Sequence, residues 1–397
     1  MTQTPNLRIP GPTPVPPDVL EAVAHPMVNH RGREFAALIS RVAERLKEFY
    51  QTSNDVLILS TSGTGGLEAA VVNTLSPGDR VLSVSTGAFG ERFAAIADTY
   101  GAEVIPLQYE WGEAARPEDV RQALEEHPEV KAVLVTHNET STGVTNPLEE
   151  IAKVVRSPLR PGSGQASTGS GRTDNETLRQ AQGERGPLLL VDAVSSLSSI
   201  PLETDGWGLD VVVTGSQKGW MVPPGLAFVS MNDRAWRAYE SSTMPRFYFD
   251  LARHRDSLAK GQTPWTPTMS IFFGLDVALE RMVEEGMEHI FARHASIGRM
   301  VRSGVKEMGL ELLCQDERFA SDTVTAVKCP DGVEVSALRN LLEDEYGVVV
   351  AGGQQKLQGK IFRIGHLGLV DEGDIQQTLQ SLEQALPKLG FRLPAVR

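Results

Sequence analysis

Val211-Val212-Val213-Thr214-Gly215-Ser216-Gln217-Lys218-Gly219 is a β-branched run that stops in a turn of small residues and displays a lysine there. β-branched side chains favour the extended chain, and the small residues that follow mark its end, so the stretch reads as a strand running into a short loop. A lysine used as a carbonyl-reactive amine needs such a turn and a partly desolvated setting that lowers its pKa. Taken alone, a lysine after a strand is usually a solvated loop charge. Its companions along the chain have to decide.

Working outward, short β-branched or aliphatic runs recur at Val56 to Leu59, Val81 to Val84, Val104 to Leu107, Val130 to Thr136, Leu188 to Val191 and Leu226 to Ser230. Between them Leu67 to Leu75, Glu91 to Tyr100, Pro117 to Glu126 and Leu148 to Val155 carry apolar residues at helical spacing. Alternation of this kind predicts an α/β domain, doubly wound around a mainly parallel seven-stranded sheet. From Met269 a long helix to Glu284 is followed by helix, strand, helix and strand units and a last helix, Glu372 to Leu386, with Asp371 as its N-cap. That is a smaller α+β domain. The expected division is an N-terminal segment 1–18, a large domain 19–268 and a small domain 269–397. Ser157 to Gly186 breaks the pattern, being rich in Gly, Ser, Arg, Gln and Thr without apolar period, and reads as a mobile surface excursion.

Three further places bear on chemistry. Asp192 closes the aliphatic run Leu188 to Val191, where a carboxylate could hold the protonated ring nitrogen of a pyridoxal cofactor; a turn residue or metal ligand is the alternative. Ser60-Thr61-Ser62-Gly63-Thr64-Gly65-Gly66 lies between a strand and the helix at Leu67, so backbone N–H groups and hydroxyls could meet a phosphate at the positive helix end. It is neither a Walker loop nor a close match to the dinucleotide fingerprint, and a plain capping turn remains open. Arg363, in Phe362-Arg363-Ile364-Gly365, offers a guanidinium that could grip a carboxylate in two parallel hydrogen bonds, or be one half of a buried ion pair.

Composition narrows the classes. A net charge of -13 repels phosphate backbones and anionic lipid, so no nucleic-acid or membrane partner is expected. The stretch Met1 to Pro17 lacks the basic, apolar, small-residue order of a secretory signal, and no apolar run reaches the length of a membrane span. Two cysteines far down the chain, Cys314 and Cys329, argue against a disulfide framework and for a reducing compartment, the cytoplasm.

Taken together, these places resemble class V aminotransferases of the alanine-glyoxylate and serine-pyruvate (serine-glyoxylate) type. The likeness extends over Pro10-Gly11-Pro12-Thr13-Pro14-Val15-Pro16, His30-Arg31 before Glu34-Phe35, Ser62-Gly63-Thr64 before Leu67-Glu68-Ala69, Thr136-His137-Asn138-Glu139-Thr140-Ser141-Thr142-Gly143, Val191-Asp192, Gly215-Ser216-Gln217-Lys218 and Arg363. The resemblance implies a type I fold dependent on pyridoxal 5'-phosphate, working as a homodimer with shared active sites. It implies that Lys218 carries the cofactor as a Schiff base and moves the proton at substrate Cα, with Asp192 on the pyridine nitrogen and Thr140 on the phenolic oxygen. Ser62, Gly63, Thr64 and Gln217 would hold the phosphate, and Arg363 the substrate carboxylate. From the partner subunit, Gln262 to Pro267 would add phosphate contacts, Thr266 first and Thr263 second. Phe89 stands where many members stack a tryptophan on the cofactor ring, giving an aromatic face of smaller area. His137 is expected to support its turn, since Lys218 already supplies the proton transfer. No metal is called for.

The implied reaction is a two-step transamination from a small L-amino acid, alanine or serine favoured, to glyoxylate or pyruvate. One rival keeps the cofactor and changes the reaction to that of a desulfurase or lyase. It needs a reactive cysteine near the substrate, whereas Cys314 beside Leu312-Leu313 and Cys329 before a proline read as packing residues. The others are a noncatalytic scaffold of the same fold and a nucleotide-binding α/β enzyme, which lacks the Walker lysine and the ribose carboxylate.

Overall fold

The computed structural model of the chain describes residues 5–157 and 186–394. All but the two end residues of the predicted excursion Ser157 to Gly186 therefore fall outside the described residues. In chain order the elements are β1 (Asn6–Arg8), α1 (Pro17–Val23), α2 (Arg33–Tyr50), β2 (Val56–Leu59), α3 (Gly63–Thr74), β3 (Arg80–Ser85), α4 (Ala88–Thr99), β4 (Glu103–Gln108), α5 (Pro117–Glu126), β5 (Ala132–Thr136), β6 (Asn138–Glu139), β7 (Val144–Thr145) and α6 (Leu148–Arg156). There follow β8 (Leu188–Asp192), β9 (Val211–Gly215), β10 (Ala227–Met231), α7 (Asp233–Ser241), α8 (Leu251–Leu258), α9 (Met269–Glu285), α10 (Met287–Glu307), β11 (Val324–Lys328), α11 (Val335–Tyr346), β12 (Val348–Gly352), β13 (Ile361–Gly365) and α12 (Glu372–Lys388).

Seven strands form the large sheet in the order β2-β10-β9-β8-β5-β3-β4. Every pairing is parallel except the two made by β10, which runs antiparallel to both β2 and β9. Strands β2, β5, β8, β9 and β10 are buried along their whole length because both faces are covered, while β4 at the sheet edge is partly exposed. Along β8, Leu189 and Val191 enter one core with Val133 and Val212, while Leu188 and Leu190 enter the other with Leu134 and Val213. Successive side chains point to opposite faces, so one uninterrupted apolar run serves two cores. Helix α9 buries Phe272, Leu275 and Leu279 in the first of them.

A second sheet has the order β1-β12-β13-β11, with β1 parallel to β12 and the other pairs antiparallel. Its core joins Val348, Phe362 and Ile364 to α10, α11 and α12 through Val301, Leu338, Leu342 and Leu382. Asp371 caps α12 as expected, in a reciprocal capping box with Asp374. The N-terminal strand thus belongs to the small sheet, and the chain beyond it crosses back to the large one. Among the described residues no helix is long and apolar enough to cross a membrane.

Candidate active site

Because β10 alone is reversed, β2, β3, β5, β8 and β9 all end at the same edge of the large sheet. The loops leaving those ends carry Ser62, Phe89, Thr140, Asp192 and Lys218, the edge where parallel sheets present ligand sites. A cavity of about 240 Å³ opens there, lined by Gly11, Pro12, Ser62, Gly63, Thr64, Leu67, Phe89, Arg92, Asp192, Val194, Gln217, Lys218 and Pro224. Seven residues singled out from the sequence meet in it: Ser62, Gly63, Thr64, Phe89, Asp192, Gln217 and Lys218. Two other clefts, one lined by Arg8 and Asp374 and one by Arg281 and Glu285, hold none of these groups.

Asp192 is buried at the end of β8, where Oδ1 accepts the Val194 N–H at 2.9 Å and Thr136 Oγ1 approaches Oδ2 at 3.5 Å. Burial pushes its carboxyl up to about 6; the Val194 bond and the Lys218 charge oppose that shift, and the Glu139 charge adds to it. Lys218 Nζ donates to the Pro10 carbonyl. Burial pulls this amine down to about 8, the Arg363 charge adds to the effect, and Asp192 opposes it. The lysine turn is held from outside: Thr13 Oγ1 donates to Lys218 O at 2.9 Å and Thr13 N to Gln217 O at 3.1 Å. Gly11 has φ +128, and a Cβ there would stand 2.6 Å from Lys218 Nζ, so a residue without a side chain lets the N-terminal segment lie against the lysine.

Opposite them, α3 points its N-terminus into the cavity. Ser62 is the N-cap, yet its side chain caps none of the helix N–H groups, and the first turn contains no acid. An uncapped helix start carries orphan donors and a partial positive charge. Arg92 strengthens it, with its guanidinium 4.7 Å from the Phe89 ring centroid and Nη1 3.4 Å from Thr64 Oγ1. Gln217 Oε1 is buried without a hydrogen-bond partner.

The other predicted residues lie outside that cavity. Arg363, on β13, donates from Nε to Gly352 O at 2.9 Å and from Nη1 to Thr140 O at 3.0 Å, which ties the small sheet to the turn after β6. Burial pulls its guanidinium down to about 10. Thr263 donates to Trp265 O at 2.7 Å, Thr266 is exposed, and neither lines the cavity formed by its own chain. His137 is buried and its imidazole is pulled down to about 4 by that burial, so it stays neutral beneath its turn. The thiols are remote: Cys314 is buried, donates to Asp316 O and is pushed up to about 11, while Cys329 donates to Val333 O.

Sequence reasoning missed Arg92 and gave Pro10 and Gly11 no role beyond their place in the family likeness. Arg92 follows Phe89 by three residues, a spacing that places both on one helix face and could have flagged it. Pro10 and Gly11 reach Lys218 across 208 positions of chain, and no local pattern announces such a contact.

The profile of the family described as Aminotransferase class-V matches residues 7–158 and 163–366 of this chain. The soluble hydrogenase small subunit of Synechococcus sp. is 43% identical over 97% of this chain and 94% of its own length. The L-aspartate–glyoxylate aminotransferase of Paracoccus denitrificans is 34% identical over 98% of this chain and 93% of its own. Among solved structures, alanine–glyoxylate aminotransferase from Nostoc sp. superposes with a TM-score of 0.86 at 29% identity, covering 97% of this chain and 96% of that one.

Proposed function

The chain belongs to the class-V aminotransferases and is a pyridoxal-phosphate-dependent aminotransferase of the type I fold; from that premise we propose that it moves the amino group of a small L-amino acid, alanine or serine, to glyoxylate or pyruvate in two half-reactions at one site. The observation that carries the assignment of the site is the convergence, on one cavity, of an amine lowered to about 8, an acid raised to about 6 and an uncapped helix start.

These features suit the cofactor in three places. The buried Asp192 carboxylate lacks a paired cation and matches a protonated ring nitrogen. The open start of α3 and Arg92 match a phosphate dianion. Phe89 offers an aromatic face between them. When bound, pyridoxal phosphate supplies an aldehyde and an electron-accepting ring for amino transfer.

The rest falls to the chain's own groups. Lys218 Nζ, near neutrality an amine for part of the population, takes and returns the proton at substrate Cα. Asp192 would keep the ring nitrogen protonated, and Thr140 would donate to the phenolic oxygen. Ser62, Gly63, Thr64 and Gln217 would hold the phosphate. Arg363 binds the substrate carboxylate, with the Gly352 and Thr140 carbonyls fixing its orientation. Glyoxylate accords with the names of the aspartate– and alanine–glyoxylate relatives.

A homodimer completes the proposal. Phe247 is 66% exposed and stacks on Trp265 at 5.0 Å, beside Thr263 and Thr266. A second copy laid over this aromatic patch would bury it and bring Thr266, and secondarily Thr263, to the other subunit's phosphate. We retain a division into a segment 1–18, a large domain 19–268 and a small domain 269–397, and place the chain in the cytoplasm, where two unpaired thiols persist.

The test is the visible spectrum of the reconstituted protein, with L-alanine, L-serine or L-aspartate added singly and then glyoxylate or pyruvate. Loss of the Schiff-base band with alanine or serine, and its return with glyoxylate or pyruvate, is the expected cycle. Cycling with aspartate alone would overturn the small-donor assignment. A band unchanged in Lys218→Ala would overturn the site.

A further inference from the structure

Helix α4 starts after Gly87, which has no side chain to cap it, yet each amide of its first turn has a partner. Ala88 N donates to Ser141 Oγ at 3.0 Å, Phe89 N and Gly90 N both donate to Glu139 Oε2 at 3.0 Å, and Glu91 N donates to Gly87 O at 3.1 Å. The other carboxylate oxygen, Glu139 Oε1, accepts Ser141 N at 3.1 Å and Ser141 Oγ at 2.5 Å. A cap is thus supplied by Glu139 at the end of β6 and Ser141 in the turn after it, 49 to 53 positions away in the chain. Gly87 makes room for it: a Cβ there would stand 2.4 Å from Ser141 Oγ and 2.6 Å from Glu139 Cδ.

Glu139 is wholly buried and forms no ion pair among the described residues. Burial pushes its carboxyl up, and four donors oppose that; three of them are amides, which cannot accept a proton in return and so suit the ionised carboxylate at the positive end of α4. A buried carboxylate supported in this way by a helix start fixes that start in space. What it fixes is Phe89, the second residue of the helix and one wall of the cofactor cavity. The same turn meets the small sheet on its other side. Thr140 O accepts Arg363 Nη1 at 3.0 Å, and Gly143 O accepts Ser321 N at 2.9 Å.

We infer that Glu139 is a positioning residue for the cofactor: by capping α4 from outside the helix it holds the Phe89 ring against the cavity, and it does so from the turn that also carries the Arg363 contact. This rests on the reading of Phe89 as the aromatic that faces the cofactor ring. Glu139 itself does not line the cavity; its charge also acts on Asp192, so only the part of its effect that disappears in the Phe89→Ala background reports on the route through α4.

The experiment titrates cofactor-free protein with pyridoxal phosphate for the wild type, Phe89→Ala, Glu139→Gln and the double variant. Glu139→Gln alone should weaken binding roughly tenfold, the scale of a lost charge-assisted hydrogen bond. In the Phe89→Ala background the same change should weaken it less than about twofold, since interactions through a shared partner do not add. The bound-cofactor absorption maximum of Glu139→Gln should move toward that of Phe89→Ala, which general destabilisation would not produce. Losses that multiply independently, or no loss from Glu139→Gln, would overturn the inference and leave the Phe89 reading in place. A Phe89→Ala protein that binds as tightly as the wild type would remove both. Should Glu139→Gln fail to fold, Ser141→Ala, which removes the neutral part of the cap, enters the same cycle with an expected loss of about threefold and the same non-additivity.

Discussion

Replacing Asp192 by asparagine stabilises the cofactor-free protein at neutral pH while abolishing its activity. The carboxyl is 4% exposed and is pushed from 3.8 up to about 6, mainly by burial. With a folded-state pKa above the unfolded one, the folded state binds the proton more tightly across that window, so this group's contribution to stability falls as pH rises through it. Each unit corresponds to about 1.36 kcal/mol. A rise from 3.8 to about 6 therefore costs roughly 3 kcal/mol by pH 7. Asparagine keeps an oxygen for the Val194 N–H and has nothing to ionise. Denaturant unfolding of the two cofactor-free proteins should give a stability difference near zero at about pH 4 that grows to roughly 3 kcal/mol at about pH 7. At an unfolding entropy of about 2.1 cal/mol/K per residue, that corresponds to a melting temperature about 4 °C higher for the variant. Saturating pyridoxal phosphate should reverse the order, because only the wild type gains the full binding increment. A difference that stays flat between about pH 4 and pH 7, or a variant less stable than the wild type at neutral pH, would refute the assignment of a strained, unpaired carboxylate.

Two further outcomes follow from the same geometry. In the cofactor-free protein, Lys218 should be modified by an amine reagent with a midpoint near pH 8, the charged form being disfavoured below it and the cost relieved as pH rises toward 10.5; peptide mapping of the modified lysine checks this, and a midpoint near 10.5 would contradict it. Gly11→Ala should lower stability by about 1–3 kcal/mol through its positive φ and also slow Schiff-base formation at least about tenfold, because the new Cβ meets Lys218 Nζ. Gly332→Ala is the control: it too has a positive φ, but with nothing within 4 Å, so it should cost stability and leave the rate alone.

The large sheet was legible in the sequence because both of its faces are buried. Runs such as Leu188 to Val191 carry no polar face to blur their ends, and the structure extends that run by only one residue, to Asp192. Residues that a strand end places at the sheet edge, Ser62, Asp192 and Lys218, were legible for the same reason. The start of α3 was not, because Gly63 to Gly66 show no apolar spacing and the helix begins four residues before the first periodic position, Leu67. Nor was β1, whose three residues are too few for a period and whose partner, β12, lies some 340 positions away. The long helix from Met269 was visible from its apolar stripe, but the stripe does not say which core receives it, and Phe272 and Leu275 pack under the large sheet. Thr140 was named for its side chain, whereas the contact on display is its carbonyl with Arg363. Backbone contacts leave no trace in residue type.

The electrostatics of the cavity constrain its ligand more tightly than any motif does. A buried acid, a lysine held below its usual range and a helix start without a cap are three separate destabilising features within one cavity. A nucleotide phosphate would satisfy only the helix start, and a bound cation only the acid. A ligand with a cationic ring nitrogen, a carbonyl carbon and a phosphate dianion meets all three at once, each with the charge or reactivity the local groups lack. Such complementarity makes cofactor binding a stability term as well as a catalytic one. The carboxylate whose burial pushes its pKa up is the group that a protonated ring nitrogen would pair with, so the predicted instability of the cofactor-free protein and the affinity for the cofactor share a single origin.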